Sequence, residues 1–152
     1  MTHFTDTLWS KNPSEGYAAL KELLRLSRDC DGVYPLMEQF IEMMDSENSY
    51  FRTRALALIA ANAKWDADCI IDENIDAILS HITDRKPITA RQFIRELPVL
   101  AKEKPDLRQD ILSALRCADT LRYPLSMRPL VDRDIRNAIM EIEKQQDDDR
   151  KA

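Results

Sequence analysis

Guanidinium groups recur in this chain at a fixed distance behind carboxylates: Asp45 precedes Arg52 by seven residues, and Asp84 precedes Arg91 by seven. Such pairs can hold an anion, or one another, through charge-assisted hydrogen bonds. Further cations stand outside that pattern: Arg54, Arg95 and Lys64, the last beside Trp65. Arg95 follows Arg91 by one helical turn, so the two share a face of any helix that carries them. A cation next to a large aromatic ring is a combination enriched in binding hot spots, although Trp65 can equally close a hairpin with its ring buried. Arg54, Lys64, Trp65, Arg91 and Arg95 are the candidate contact residues. The chemistry they offer is recognition of a partner's carboxylates.

Catalysis has less to draw on. No Ser or Cys sits in a nucleophile motif, and with Gly16 and Gly32 as the two glycines there is no phosphate-cradling loop. His81 falls late on a helix, where a cation is favourable. Cys30, Cys69 and Cys117 form no C-x-x-C, and neither His3 nor His81 is close enough in sequence to complete a zinc pattern. The expectation is buried thiols in a reducing compartment, no metal, no cofactor and no enzymatic activity.

The formal charge of −5 repels nucleic acid and anionic membrane, which makes nucleic acid an unlikely partner. No apolar run approaches the roughly 18 to 20 residues of a membrane span. Met1 to Ser10 lacks the basic start and apolar block of a signal peptide, so a cytoplasmic location is expected.

The elements that must position these residues are helical. Gly is scarce, Leu, Ile, Ala and charged residues dominate, and 152 residues can bury a continuous core in one domain. Asn12-Pro13-Ser14-Glu15 reads as a helix start, with the helix running to about Cys30 and Gly32 taking a left-handed stop. Phe4, Leu8 and Trp9 before it would cover the end of a stack. A second helix over about 33–44 places Leu36, Met37, Phe40, Ile41 and Met44 on one stripe. Ser49 caps a third over about 50–63.

A fourth helix from about Asp72 carries Ile75, Ile78, Leu79 and Ile82 at the spacing of one buried face. Pro87 opens a fifth, which Pro98 should kink by removing a backbone donor. Pro105 opens a sixth, with Leu107, Ile111, Ala114 and Leu115 inward. The last begins near Ser126, and residues 147–152 have nothing to bury and should fray as an acidic tail.

The pattern repeats. Leu36-x3-Phe40-x4-Asp45-x6-Arg52-x5-Leu58 is answered thirty-nine positions on by Ile75-x3-Leu79-x4-Asp84-x6-Arg91-x5-Leu97. Arg136-x2-Ile139-x2-Ile142 continues it after forty-five, the extra length falling in the 117–128 connection. Helical units at this period stack because none buries its apolar face alone. The expected fold is all-α: a short α-solenoid of stacked antiparallel helical hairpins with about seven main helices. It forms one domain over 1–146, with a cap over 1–32 and hairpins over 33–66, 70–104 and 105–146.

With an Asp near the end of each first helix and an Arg near the start of each second, residues 33–146 resemble a HEAT or armadillo-type repeat protein. The phrases Ser49-Tyr50-Phe51-Arg52-Thr53-Arg54, Lys86-Pro87-Ile88-Thr89-Ala90-Arg91-Gln92 and Ser126-Met127-Arg128-Pro129-Leu130 look like those of small bacterial HEAT-like proteins sometimes labelled SufBD-like. The resemblance implies that Asp45, Arg52, Asp84 and Arg91 form a structural ladder between repeats. It also implies that first helices make a convex layer and second helices a concave one.

Residues 33–45 and 70–82 carry carboxylates and no Lys or Arg, while residues 50–65 and 87–104 are mainly basic, so the groove would be mildly basic. The functional expectation is a scaffold or adaptor that binds an acidic protein or peptide segment in that groove. Alternatives are a HEAT-like nucleic-acid-binding protein or DNA glycosylase-like enzyme, an accessory role in iron–sulfur cluster assembly, and self-association of an acidic layer with a basic groove.

Overall fold

The computed structural model describes the backbone of residues 2–151 and the side chains of residues 5–151. Its described secondary structure is all helical. The chain divides into two compact units at Asn74/Ile75.

The first unit contains α1 (Thr2–Leu8), α2 (Pro13–Asp29), α3 (Met37–Met43), α4 (Ser49–Ala61) and α5 (Ile70–Glu73). Asn12 caps α2 by accepting from the Ser14 N–H, and Pro13 takes the first helical position. The helix ends at Cys30, whose backbone is extended; Gly32 does not adopt the left-handed conformation, which occurs instead at Cys69 with φ 58°. Pro35 tightens the start of the second expected helix into a 3₁₀ turn over Tyr34–Leu36, so α3 is shorter than the apolar stripe suggests. Asn48, rather than Ser49, caps α4, taking the N–H groups of Tyr50 and Phe51.

The core of this unit is Leu20 and Leu23 from α2, Met37, Phe40 and Met44 from the α3 region, and Leu56, Leu58 and Ile59 from α4. Leu8 is buried and the Trp9 ring packs edge-on against Phe40 and Phe51. The Phe4 side chain lies outside the described residues.

The second unit contains α6 (Ile75–Leu79), α7 (Pro87–Glu103), α8 (Arg108–Arg116) and α9 (Arg128–Lys151). The expected fourth helix is split: α5 stops at Asn74, whose side chain turns back to the Ile70 carbonyl, and α6 continues as a 3₁₀ turn over Ser80–Thr83. Ile78, Leu79 and Ile82 are buried as the stripe predicts. Helix α7 runs unbroken through Pro98 and packs along α9, with α8 against both. Ile94, Leu97, Ala101, Ile111, Leu115, Val131, Ala138 and Ile142 fill the space between them.

Residues 147–151, three aspartates followed by Arg150 and Lys151, are not frayed but continue α9, with Arg108 reaching Asp149 at 2.8 Å; Ala152 lies outside the described residues. All three cysteines are exposed, because each sits at a helix end: Cys30 and Cys117 follow α2 and α8, and Cys69 precedes α5. Among the described residues no helix is long and apolar enough to cross a membrane.

Candidate interaction site

The five candidate contact residues divide between the units, and their surroundings differ sharply. Arg54, on the buried side of α4, is 4% exposed. Its Nη1 donates to the carbonyls of Leu8 at 2.7 Å and Ser10 at 2.9 Å, and its guanidinium lies near the Tyr50 and Phe51 rings. A Cβ added to Gly16 would fall 2.1 Å from the Arg54 Cζ, so the missing side chain makes room for the cation. Burial pushes the Arg54 pKa down. Arg54 therefore joins α1, α2 and α4 and is not a groove residue.

Lys64 and Trp65 both dock on the end of α2: Lys64 Nζ donates to the Arg28 carbonyl at 2.7 Å, and Trp65 Nε1 to the Ser27 carbonyl at 2.8 Å. Orphan carbonyls at a helix C-terminus attract such donors. Nearby, Asn62 bonds to the buried Ser27 hydroxyl, tightening the same junction. Trp65 is half-buried against the end of α2, and Lys64, lying 5.4 Å from the Trp65 ring, keeps its exposed surface at that helix end.

Arg52, Arg91 and Asp84, three of the expected ladder residues, are each bonded within their own unit. Arg52 is buried and donates to the carbonyls of Ser46 and Glu47 in the turn before α4. Arg91 Nε bonds to Asp134 Oδ2 on α9 at 2.7 Å. Asp84 instead faces His81 Nδ1 at 2.7 Å and accepts from the Lys86 N–H at the entrance to α7.

Around Asp84 the structure assembles a buried group that sequence reasoning missed. The Tyr123 hydroxyl, its pKa pushed up to about 12 chiefly by burial, donates to the Asp84 carbonyl. His81 Nε2, on the far side of the ring, is buried with no hydrogen-bond partner. The signal available in the sequence was the three-residue spacing of His81 and Asp84; the contribution of Tyr123, thirty-nine residues on, was not visible. These groups fix the turn that launches α7 and tie down the long connection after α8.

One open cleft of about 190 Å³ lies between α7 and α9, lined by Ile94, Arg95, Pro98, Asp134, Asn137, Ala138 and Glu141. Their spacing explains it: residues 134, 137, 138 and 141 are one face of α9, and 94, 95 and 98 one face of α7. Pro98 has no N–H, so it supplies no helical hydrogen bond to the Ile94 carbonyl on that wall. Asp134 is buried and committed to Arg91, whereas the Arg95 side chain is 60% exposed and its Nη2 is 3.9 Å from the same carboxylate.

Arg91 and Arg95 are thus brought together at Asp134, one as structure and the other as an open donor. Glu141 on the α9 side makes the cleft two-sided in charge, with the anion-binding potential on α7. Comparison of the chain with protein-family models, with characterised proteins and with solved structures finds no match.

Proposed function

We propose that this chain is a non-enzymatic interaction module of the HEAT or armadillo-type α-solenoid class, acting as a scaffold or adaptor for an acidic segment of another protein. Arg95 carries the proposal. The carboxylate nearest to it is already bonded to Arg91, so the Arg95 guanidinium retains donors for an incoming anion beside an open cleft. The other candidates play smaller parts. Arg54 and Arg91 hold elements together, and Lys64 and Trp65 close a helix end.

An exposed arginine paired with a carboxylate contributes up to about 1 kcal/mol, so Arg95 orients a partner and adjoining contacts must supply much of the affinity. Fluorescence anisotropy with a labelled glutamate-rich peptide tests the proposal. Binding should weaken as salt rises, and Arg95→Glu should weaken it by roughly tenfold, about 1.4 kcal/mol. Equal affinity in wild type and variant, with helix content unchanged, would remove Arg95 as the contact.

A further inference from the structure

Helix α7 carries a solvent-facing stripe that the fold does not use: Ile88, Gln92, Arg95, Val99 and Lys102, all exposed, follow one another at steps of four, three, four and three residues. That alternation keeps successive side chains on one face of a helix and is the spacing by which two helices meet along a seam. Ile88 is 63% exposed and Val99 48%, which sets two apolar contacts about 16 Å apart along the axis at about 1.5 Å per residue. Arg95 lies between them and Lys102 beyond. The stripe bears two cations; Glu96 lies off it and half-buried, and the exposed Glu103, four residues after Val99, borders its C-terminal end.

We infer that this face receives an amphipathic, acidic helix from a different protein, laid along α7. The partner's apolar residues would meet Ile88 and Val99, and its carboxylates Arg95 and Lys102. Charge complementarity selects an acidic partner, and the apolar pair selects one with a hydrophobic stripe at matching spacing. A second copy of this chain fits less well. Its acidic segments at 36–48 and 70–79 present no exposed large apolar side chain among the described residues, and the acidic end of α9 follows a single one, Met140, where the seam needs two.

This inference rests on the acidic-partner proposal and names the form of the partner. Two labelled peptides of identical composition separate the two: one with Leu and Glu arranged so that the leucines fall on a single helical face, the other scrambled so that they do not. The amphipathic peptide should bind at least tenfold more tightly. Ile88→Ser/Val99→Ser should abolish that advantage without altering binding of the scrambled peptide; both positions are exposed, and circular dichroism verifies the fold.

Equal binding of the two peptides by wild type would overturn the helical partner while leaving the acidic one standing. Binding of neither would overturn both. If sedimentation shows a wild-type dimer that Ile88→Ser/Val99→Ser dissociates, the face belongs to a second copy and the inference falls.

Discussion

Glu96 sits half-buried on α7, and loss of solvent raises its carboxyl pKa above the ordinary value. A carboxyl raised on folding binds more protons in the native than in the unfolded chain. Stability therefore falls as pH rises from the unfolded value of about 4.5 through the higher native one. Glu96→Gln removes the charge but keeps the shape, so the variant should be more stable than wild type at pH 7. That gain should disappear below about pH 4. Urea denaturation at both pH values reads it directly, and an equal gain at both would show that desolvation of the carboxylate is not the cause.

At the scale of elements, the join between α1, α2 and α4 depends on a cation filling the space left by a glycine. Gly16→Ala would drive the guanidinium off the Leu8 and Ser10 carbonyls and should cost roughly 1–3 kcal/mol, the range for groups left unsatisfied by a lost hydrogen bond. Arg54→Ala loses the same bonds and should cost a similar amount. Because each change removes the same contact, the double variant should be less destabilised than the sum, and a denaturation cycle measures the difference. Strict additivity would mean that Gly16 and Arg54 act independently.

A comparable logic holds in the second unit, where Arg91 on α7 meets Asp134 on α9 and Tyr123 meets the Asp84 carbonyl. In both units arginines that invited an anion-binding interpretation are consumed in joining helices, which leaves Arg95 as the cation open to the cleft.

For the molecule as a whole, −5 is the charge that any polyanion meets at long range. DNA binding followed at low ionic strength should be undetectable, whereas an affinity falling steeply with salt would favour a nucleic-acid role over the proposed one. The connection at 117–128 is the other large-scale feature. Arg122 donates to the Thr83 carbonyl, Thr120 to Asp132 and Arg128 to the carbonyls of Leu121 and Tyr123, so the long turn is ordered while Leu121 and Leu125 stay 70% and 78% exposed. The lengthened third period in the sequence marked this segment, but two of its anchors, the Thr83 and Asp84 carbonyls, lie thirty-nine residues from the side chains that reach them.

Helix content and most core positions were legible in the sequence because they follow from local rules. Apolar spacing put Phe40, Ile78, Leu97 and Ile142 inside, and Asn12-Pro13 and Pro87 marked helix starts. The misplaced boundaries, at Pro35 and Asn74, shortened one helix behind a 3₁₀ turn and split another, but both segments remained helical. The fate of each charge was a different kind of question. Arg54 and Arg95 are equally cationic on paper, yet one is buried among carbonyls of another helix and the other faces solvent beside a cleft. A guanidinium's availability depends on which groups from distant segments reach it first, and spacing within one helix carries no record of that. The sequence by itself determined that the chain makes amphipathic helices with an acidic balance; the tertiary structure decided which cations were already taken, because only packing brings Asp134 to Arg91 and the Leu8 carbonyl to Arg54.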